Sequence, residues 1–161
     1  MMSRTLIMAV VGAAVLAAAA GFWLQSADEE TLALLQPEDA TVVARGAKLY
    51  AANCASCHGA DLSGEPGWPD WRRRKPDGRL AAPPHDESGH TWHHPDEVLF
   101  QITKLGTAAF AGNPDLASDM PAFGETLTDS DIAAVLSYIK STWKGQAREA
   151  NARINQQATQ K

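Results

Sequence analysis

The residues Cys54-Ala55-Ser56-Cys57-His58 carry the most distinctive chemistry in this chain. Two thiols at this spacing, followed directly by an imidazole, form the C-x-x-C-H pattern of covalent haem attachment. Each thiol can form a thioether to one vinyl group of the same haem, and the adjacent imidazole can then reach the iron from one face. A redox-active C-x-x-C pair is the competing chemistry. Such a pair usually opens a helix after a strand, in a thioredoxin-like pattern, and no strand-like run precedes Cys54. One covalent haem c is the expected cofactor, on Cys54 and Cys57, with His58 as an axial iron ligand. The chain has only these 2 cysteines, so haem attachment leaves none for a disulfide.

Two further groups of metal-seeking residues stand out. Of the 5 histidines, all but His58 fall between His85 and His94. Four imidazoles so close together can bind copper or zinc, or offer iron a competing ligand. Against this, no cysteine or methionine lies nearby, and Pro95-Asp96-Glu97 reads as a helix start. That start places His93 and His94 at or just before a cap, in directions the sequence does not fix. Histidines at the surface or at a haem edge are the plainer expectation. The second group is Met120, the only methionine outside the N-terminal apolar segment and the residues leading into it, in Asp119-Met120-Pro121-Ala122-Phe123-Gly124. A thioether there can bind ferrous iron or fill a gap in a core.

The elements that must position these groups read as helices. A helix is expected from near Pro37–Asp39 to about Asn53, with Val42, Gly46, Leu49 and Tyr50 on its apolar face. Gly46 costs that helix roughly 1 kcal/mol relative to alanine, and a close helix crossing would account for it. Pro95 to about Lys104 forms a shorter helix, with Val98, Leu99 and Ile102 on one face and Gly106 ending it. Thr107 to Asp119 reads as loop. Thr128-Asp129-Ser130-Asp131 opens a last helix with a capping-box pattern, and Ile132, Val135, Leu136, Ile139 and Trp143 repeat at helical spacing. Residues 145–161 are polar, without an apolar face, and read as an exposed tail.

Around these lie three less regular stretches. Leu6 to Leu24 carries no charge and is about long enough to span a bilayer core of roughly 30 Å. Arg4 precedes it and Asp28, Glu29 and Glu30 follow, which directs the remainder out of the cytoplasm. A cleaved signal peptide with Ala18-Ala19-Ala20 at its end is the alternative. Phe22, Trp23 and Leu24 extend the apolar run and favour an uncleaved anchor over residues 1–24, with a linker over 25–38. Residues 61–80 are rich in glycine, proline, tryptophan and charge, with turns expected at Gly67 and Pro76-Asp77-Gly78. Within them, Trp71 to Lys75 is the one dense basic run in a chain of net charge −5. It can dock an acidic partner, set an arginine on an acidic group, or simply keep a loop solvated. The overall negative charge argues against a nucleic-acid partner.

Gly46, two helical turns before Cys54, and Tyr50, one turn before it, resemble the N-terminal helix of class I c-type cytochromes. With Met120-Pro121 and the final helix, the resemblance spans roughly Asp39 to Trp143, interrupted at 61–80. It implies an all-α, cytochrome c-like domain over 39–144 around one covalent haem, with the glycine and aromatic of the first helix packed against the last, and Val135 and Tyr138 meeting Gly46 and Tyr50. It implies axial iron ligation by His58 and Met120, and a proline carbonyl, from Pro83 or Pro84, bonded to the proximal histidine. Pro83, Arg79 and Trp71 are the residues expected to support the ligand or meet a haem propionate. The inserted loop departs from compact members of the family, where that proline follows the haem motif more closely.

A six-coordinate iron leaves no position for substrate, which favours a non-enzymatic electron carrier. The expectation is a mono-haem cytochrome passing single electrons between redox proteins, held in a bacterial inner membrane with its haem domain on the periplasmic side. The alternatives are a haem-bearing subunit of a larger oxidoreductase, or a copper- or zinc-handling protein using His85 to His94.

Overall fold

The computed structural model describes residues 35–66 and 74–160. The expected anchor over residues 1–24, most of the linker, and Trp71 lie outside the described residues. Among the described residues, no helix is long and apolar enough to cross a membrane.

Helix α1 spans Ala40–Asn53. Asp39 caps it, its Oδ1 accepting from the amides of Thr41 at 2.8 Å and Val42 at 3.1 Å. These amides would otherwise lack intrahelical partners. A short helix α2 follows at Ala55–His58, so the haem motif sits on a helical turn directly continuing α1. A 3-10 turn covers Thr91–His93. Helix α3 is Asp96–Leu105 and the short α4 is Thr107–Phe110, where the sequence pattern gave loop. Helix α5, Asp129–Thr142, begins with the expected capping box: Thr128 and Asp131 each satisfy the other's backbone amide. Among the described residues there is no strand, only an isolated antiparallel bridge between Arg74 and Leu80, as an all-α reading requires.

The crossing of α1 and α5 organises the core. A Cβ on Gly46 would lie 1.9 Å from the carbonyl oxygen of Ala134 and 2.9 Å from Cβ of Tyr138. No residue but glycine fits there, which explains a helix-weakening residue mid-helix. The Ala134 carbonyl and the expected Tyr138 therefore face Gly46. Val135 turns instead toward the cavity described below. The Tyr50 and Tyr138 rings lie 5.4 Å apart, as expected of the aromatic partners. Ile132, Val135, Leu136, Ile139 and Trp143 are all buried, with Leu99 and Phe100 of α3 joining them.

The polar segment after Trp143 departs from expectation. It forms helix α6, Gly145–Ala158, and it is not a loose tail. Asn151 is fully buried, its amide donating to the carbonyls of Trp92 at 3.2 Å and His94 at 2.9 Å. Asn155 Oδ1 accepts from the amide of Asp96 at 2.8 Å. That bond caps α3 from another element, because Pro95 at its N-cap position offers no side-chain acceptor. Apolar periodicity misses this helix because it docks through amide hydrogen bonds and a single small apolar residue, Ala147.

Candidate functional site

One cavity of about 580 Å³ is lined by Cys54, Cys57 and His58 together with Met120. Its walls are mainly apolar, with Leu99 and Ile102 from α3 and Val135, Leu136 and Ile139 from α5. Its size falls within the roughly 300–1,000 Å³ of enclosing ligand sites. Two thiols and an imidazole on one side, a thioether within the same lining and apolar walls between are a donor set and shape that fit a haem.

The motif is positioned by α1. Its last turn runs into Cys54, whose amide donates to Tyr50 O at 2.8 Å. Tyr50 in turn donates its hydroxyl to Gly59 O at 2.8 Å, with His58 O at 3.3 Å. The buried ring thus ties the helix to the chain just past the motif, and its burial pushes the phenol well above its usual range. Burial, and next the neighbouring Cys57, push the Cys54 thiol up to about 11.

His58 is buried and its orientation is set. Its Nδ1 lies 2.8 Å from the carbonyl oxygen of Pro83. A carbonyl only accepts, so Nδ1 carries the proton and Nε2 keeps its lone pair. Of the two prolines, Pro83 is the acceptor. Burial holds the imidazole below its usual range, against the Pro83 carbonyl and Glu65, which act the other way. The proline segment is fixed from behind by Gly64, where a Cβ would lie 2.6 Å from Pro84 N and where φ is +76°.

His85 stacks on His58, ring centres 4.0 Å apart and planes 20° from parallel. Thr91 donates its hydroxyl to Pro84 O at 3.1 Å, so Thr91 Oγ1 accepts from His85 Nδ1 at 2.9 Å. Trp143 Nε1 donates to His85 O at 2.8 Å. Burial, then the neighbouring His58 and His90, hold His85 well below its usual range and neutral.

The remaining histidines disperse. His93 stacks on Trp92 at 3.6 Å, and His90 meets His94 edge-on at 5.4 Å. Among the described residues, no three His, Cys, Asp or Glu side chains are grouped so as to hold a metal ion. The geometry lends the copper- or zinc-handling reading no support, whereas His85, His90 and His94 line the cavity with His58, in line with the plainer expectation of haem-edge histidines.

Arg79 does not extend free toward the cavity. It pairs with Asp119, and Asp119 also accepts from Lys75 Nζ at 2.6 Å. The Lys75 ammonium, and next the Arg79 guanidinium, hold the Asp119 carboxyl below its usual range. Sequence reasoning passed over Glu65 and Thr91, and met Lys75 only as the end of the basic run and Asp119 only as a neighbour of Met120. The one available signal was the position of Asp119 beside Met120.

A family model described as Cytochrome c matches residues 43–143. A Cbb3-type cytochrome c oxidase subunit FixP of Sinorhizobium medicae (strain WSM419) is 25% identical over 99 residues, 62% of this chain and 29% of that protein. A Cbb3-type cytochrome c oxidase subunit FixPc of Rhizobium leguminosarum bv. viciae is 31% identical over 98 residues, 60% of this chain and 29% of its own length. The matched region thus spans under a third of these curated relatives. No solved structure matches.

Proposed function

This chain belongs to the cytochrome c family, carrying covalent haem c on its C-x-x-C-H motif, and from that premise we propose that it shuttles single electrons through an iron held by His58 and Met120. The bound haem supplies the redox couple. The chain's own residues set its surroundings. Cys54 and Cys57 fix it in place. Pro83 holds the proton on Nδ1 of His58 and so aims the Nε2 lone pair into the cavity. The apolar wall from α3 and α5 keeps water out and lowers the dielectric around the metal.

The observation that carries this reading is the joint lining of one cavity by Cys54, Cys57, His58 and Met120. A thioether opposite an imidazole favours ferrous iron and raises the potential. Six-coordination would leave no open position for a substrate and so suits a carrier rather than a catalyst. The relatives support a second, compatible reading, in which this domain serves as the haem-bearing subunit of a larger oxidoreductase. Co-purification of stoichiometric partner chains distinguishes that from a free shuttle. We further propose that Leu6 to Leu24 anchors the haem domain on the periplasmic side of a bacterial inner membrane, where tethering would raise its encounter rate with membrane partners.

The test of ligation is the absorption spectrum of the full haem-loaded chain beside Met120→Ala. The oxidised wild type is expected to show the weak long-wavelength band of sulfur bound to ferric iron, and Met120→Ala to lose it. A wild type without the band, or one unaffected by the substitution, overturns the assignment.

A further inference from the structure

Residues 74–80 form a tight turn beside the cavity. Gly78 N donates to Lys75 O at 2.9 Å, and Lys75 N to Arg79 O at 2.8 Å. Asp77 Oδ1 accepts from Arg79 N at 3.0 Å, and Arg74 Nη1 donates to Gly78 O at 2.8 Å. Gly78 takes φ +85°, the left-handed conformation that closes such a turn. With its backbone and side chains bonded to one another, the turn is a firm platform.

It connects the two walls of the cleft. Toward the His58 side, Lys75 Nζ lies 3.3 Å from Glu65 Oε1, and Glu65 Oε2 accepts from Ala82 N at 2.7 Å. Ala82 immediately precedes Pro83, the acceptor for His58. Toward the other side, Leu80 N donates to Ala117 O at 2.8 Å. Lys75 and Arg79 reach opposite oxygens of Asp119, and Asp119 immediately precedes Met120. A continuous path therefore runs from Pro83 through Glu65, Lys75 and Asp119 to Met120. From behind, α3 ends at Gly106, where a Cβ would stand 3.1 Å from Met120 O. The Met120 segment is held between that glycine and the turn.

We propose that Lys75 and Arg79 are positioning residues for Met120: through Asp119 they strap its loop to the His58 wall and set how readily the thioether leaves the iron. This rests on the reading of Met120 as an iron ligand. The process in question is ligand exchange without electron transfer. The iron–sulfur bond breaks, and a nitrogen lone pair of an added ligand takes its place. All four side chains are partly exposed, so their pairing is screened by solvent and contributes little to global stability. Its effect belongs to the local opening of one loop.

The experiment is stopped-flow binding of imidazole to the oxidised, haem-loaded full chain, with urea unfolding measured alongside. Asp119→Asn and the pair Lys75→Met with Arg79→Met are each expected to speed imidazole binding about three- to tenfold while barely moving the urea midpoint. Lys75→Arg is expected to restore the wild-type rate. Unchanged rates in both variants overturn the strap while the Met120-dependent band leaves ligation standing. Loss of the band in Met120→Ala must be seen first; a wild type without it fails the ligation reading and the strap together. Faster binding in the cation variants but not in Asp119→Asn also overturns the strap, assigning the cations to a different acid. A rate gain matched by an equal loss of urea stability refutes it as general loosening.

Discussion

On the His58 side of the cleft, the chain of contacts runs through groups that are buried or half-buried. His58 bonds Pro83, His85 stacks on His58, Thr91 joins His85 to Pro84, and Trp143 secures the carbonyl of His85. On the Met120 side, the neighbouring Asp119 is 40% exposed and held by cations that are 27% and 48% exposed. Buried hydrogen bonds are costly to break because each group lost is left unsatisfied. Exposed ion pairs exchange readily with water and salt. The two ligand positions thus differ in rigidity by construction. The imidazole is preset, while the thioether sits on a loop that local forces can adjust.

Three perturbations test that contrast, in order of size. Trp143 is 2% exposed and closes the core behind the His58 wall, so Trp143→Ala is expected to cost about 3–5 kcal/mol. Urea unfolding of the haem-loaded protein measures this; a loss below about 1 kcal/mol would mean the wall stands without its backing. Thr91→Val keeps the shape but removes the hydroxyl shared by Pro84 and His85. The expected loss is about 1–3 kcal/mol, without a change in the imidazole rate. A faster imidazole rate there would show that Thr91 bears on the Met120 loop as well as on the His58 wall. Least of all, raising salt to about 1 M, where the screening length falls to about 3 Å, is expected to speed imidazole binding while leaving the urea midpoint in place. Salt insensitivity would remove ion pairing as the force on the Met120 side.

What the sequence made legible follows the same division. The haem motif, the Gly46 crossing and the Thr128 capping box are each dictated by neighbours along the chain or by one steric requirement. Spacing and residue type suffice for these. Helix α6 escaped because Asn151 and Asn155 dock it through hydrogen bonds to distant carbonyls and amides, which leave no period in the sequence. The histidine cluster left coordination open beside a haem-edge placement, because composition reveals proximity but not direction. The placement of His85 on His58, His93 on Trp92, and His90 and His94 in the cavity lining depends on how loops return. The ion pair of Arg79 with Asp119, 40 residues away, is set by the folded loop and not by local sequence.

The burial of Asn151 also bears on the order of events during biosynthesis. Chains emerge from the ribosome N-terminus first, so Cys54, His58 and Met120 are all made before Asn151. Until that amide arrives, the Trp92 and His94 carbonyls lack the donor that serves them in the finished domain. The segment bearing the clustered histidines is therefore tied down by a residue that follows every proposed haem contact along the chain. A helix outside the cavity lining thus fixes the segment whose His90 and His94 line it.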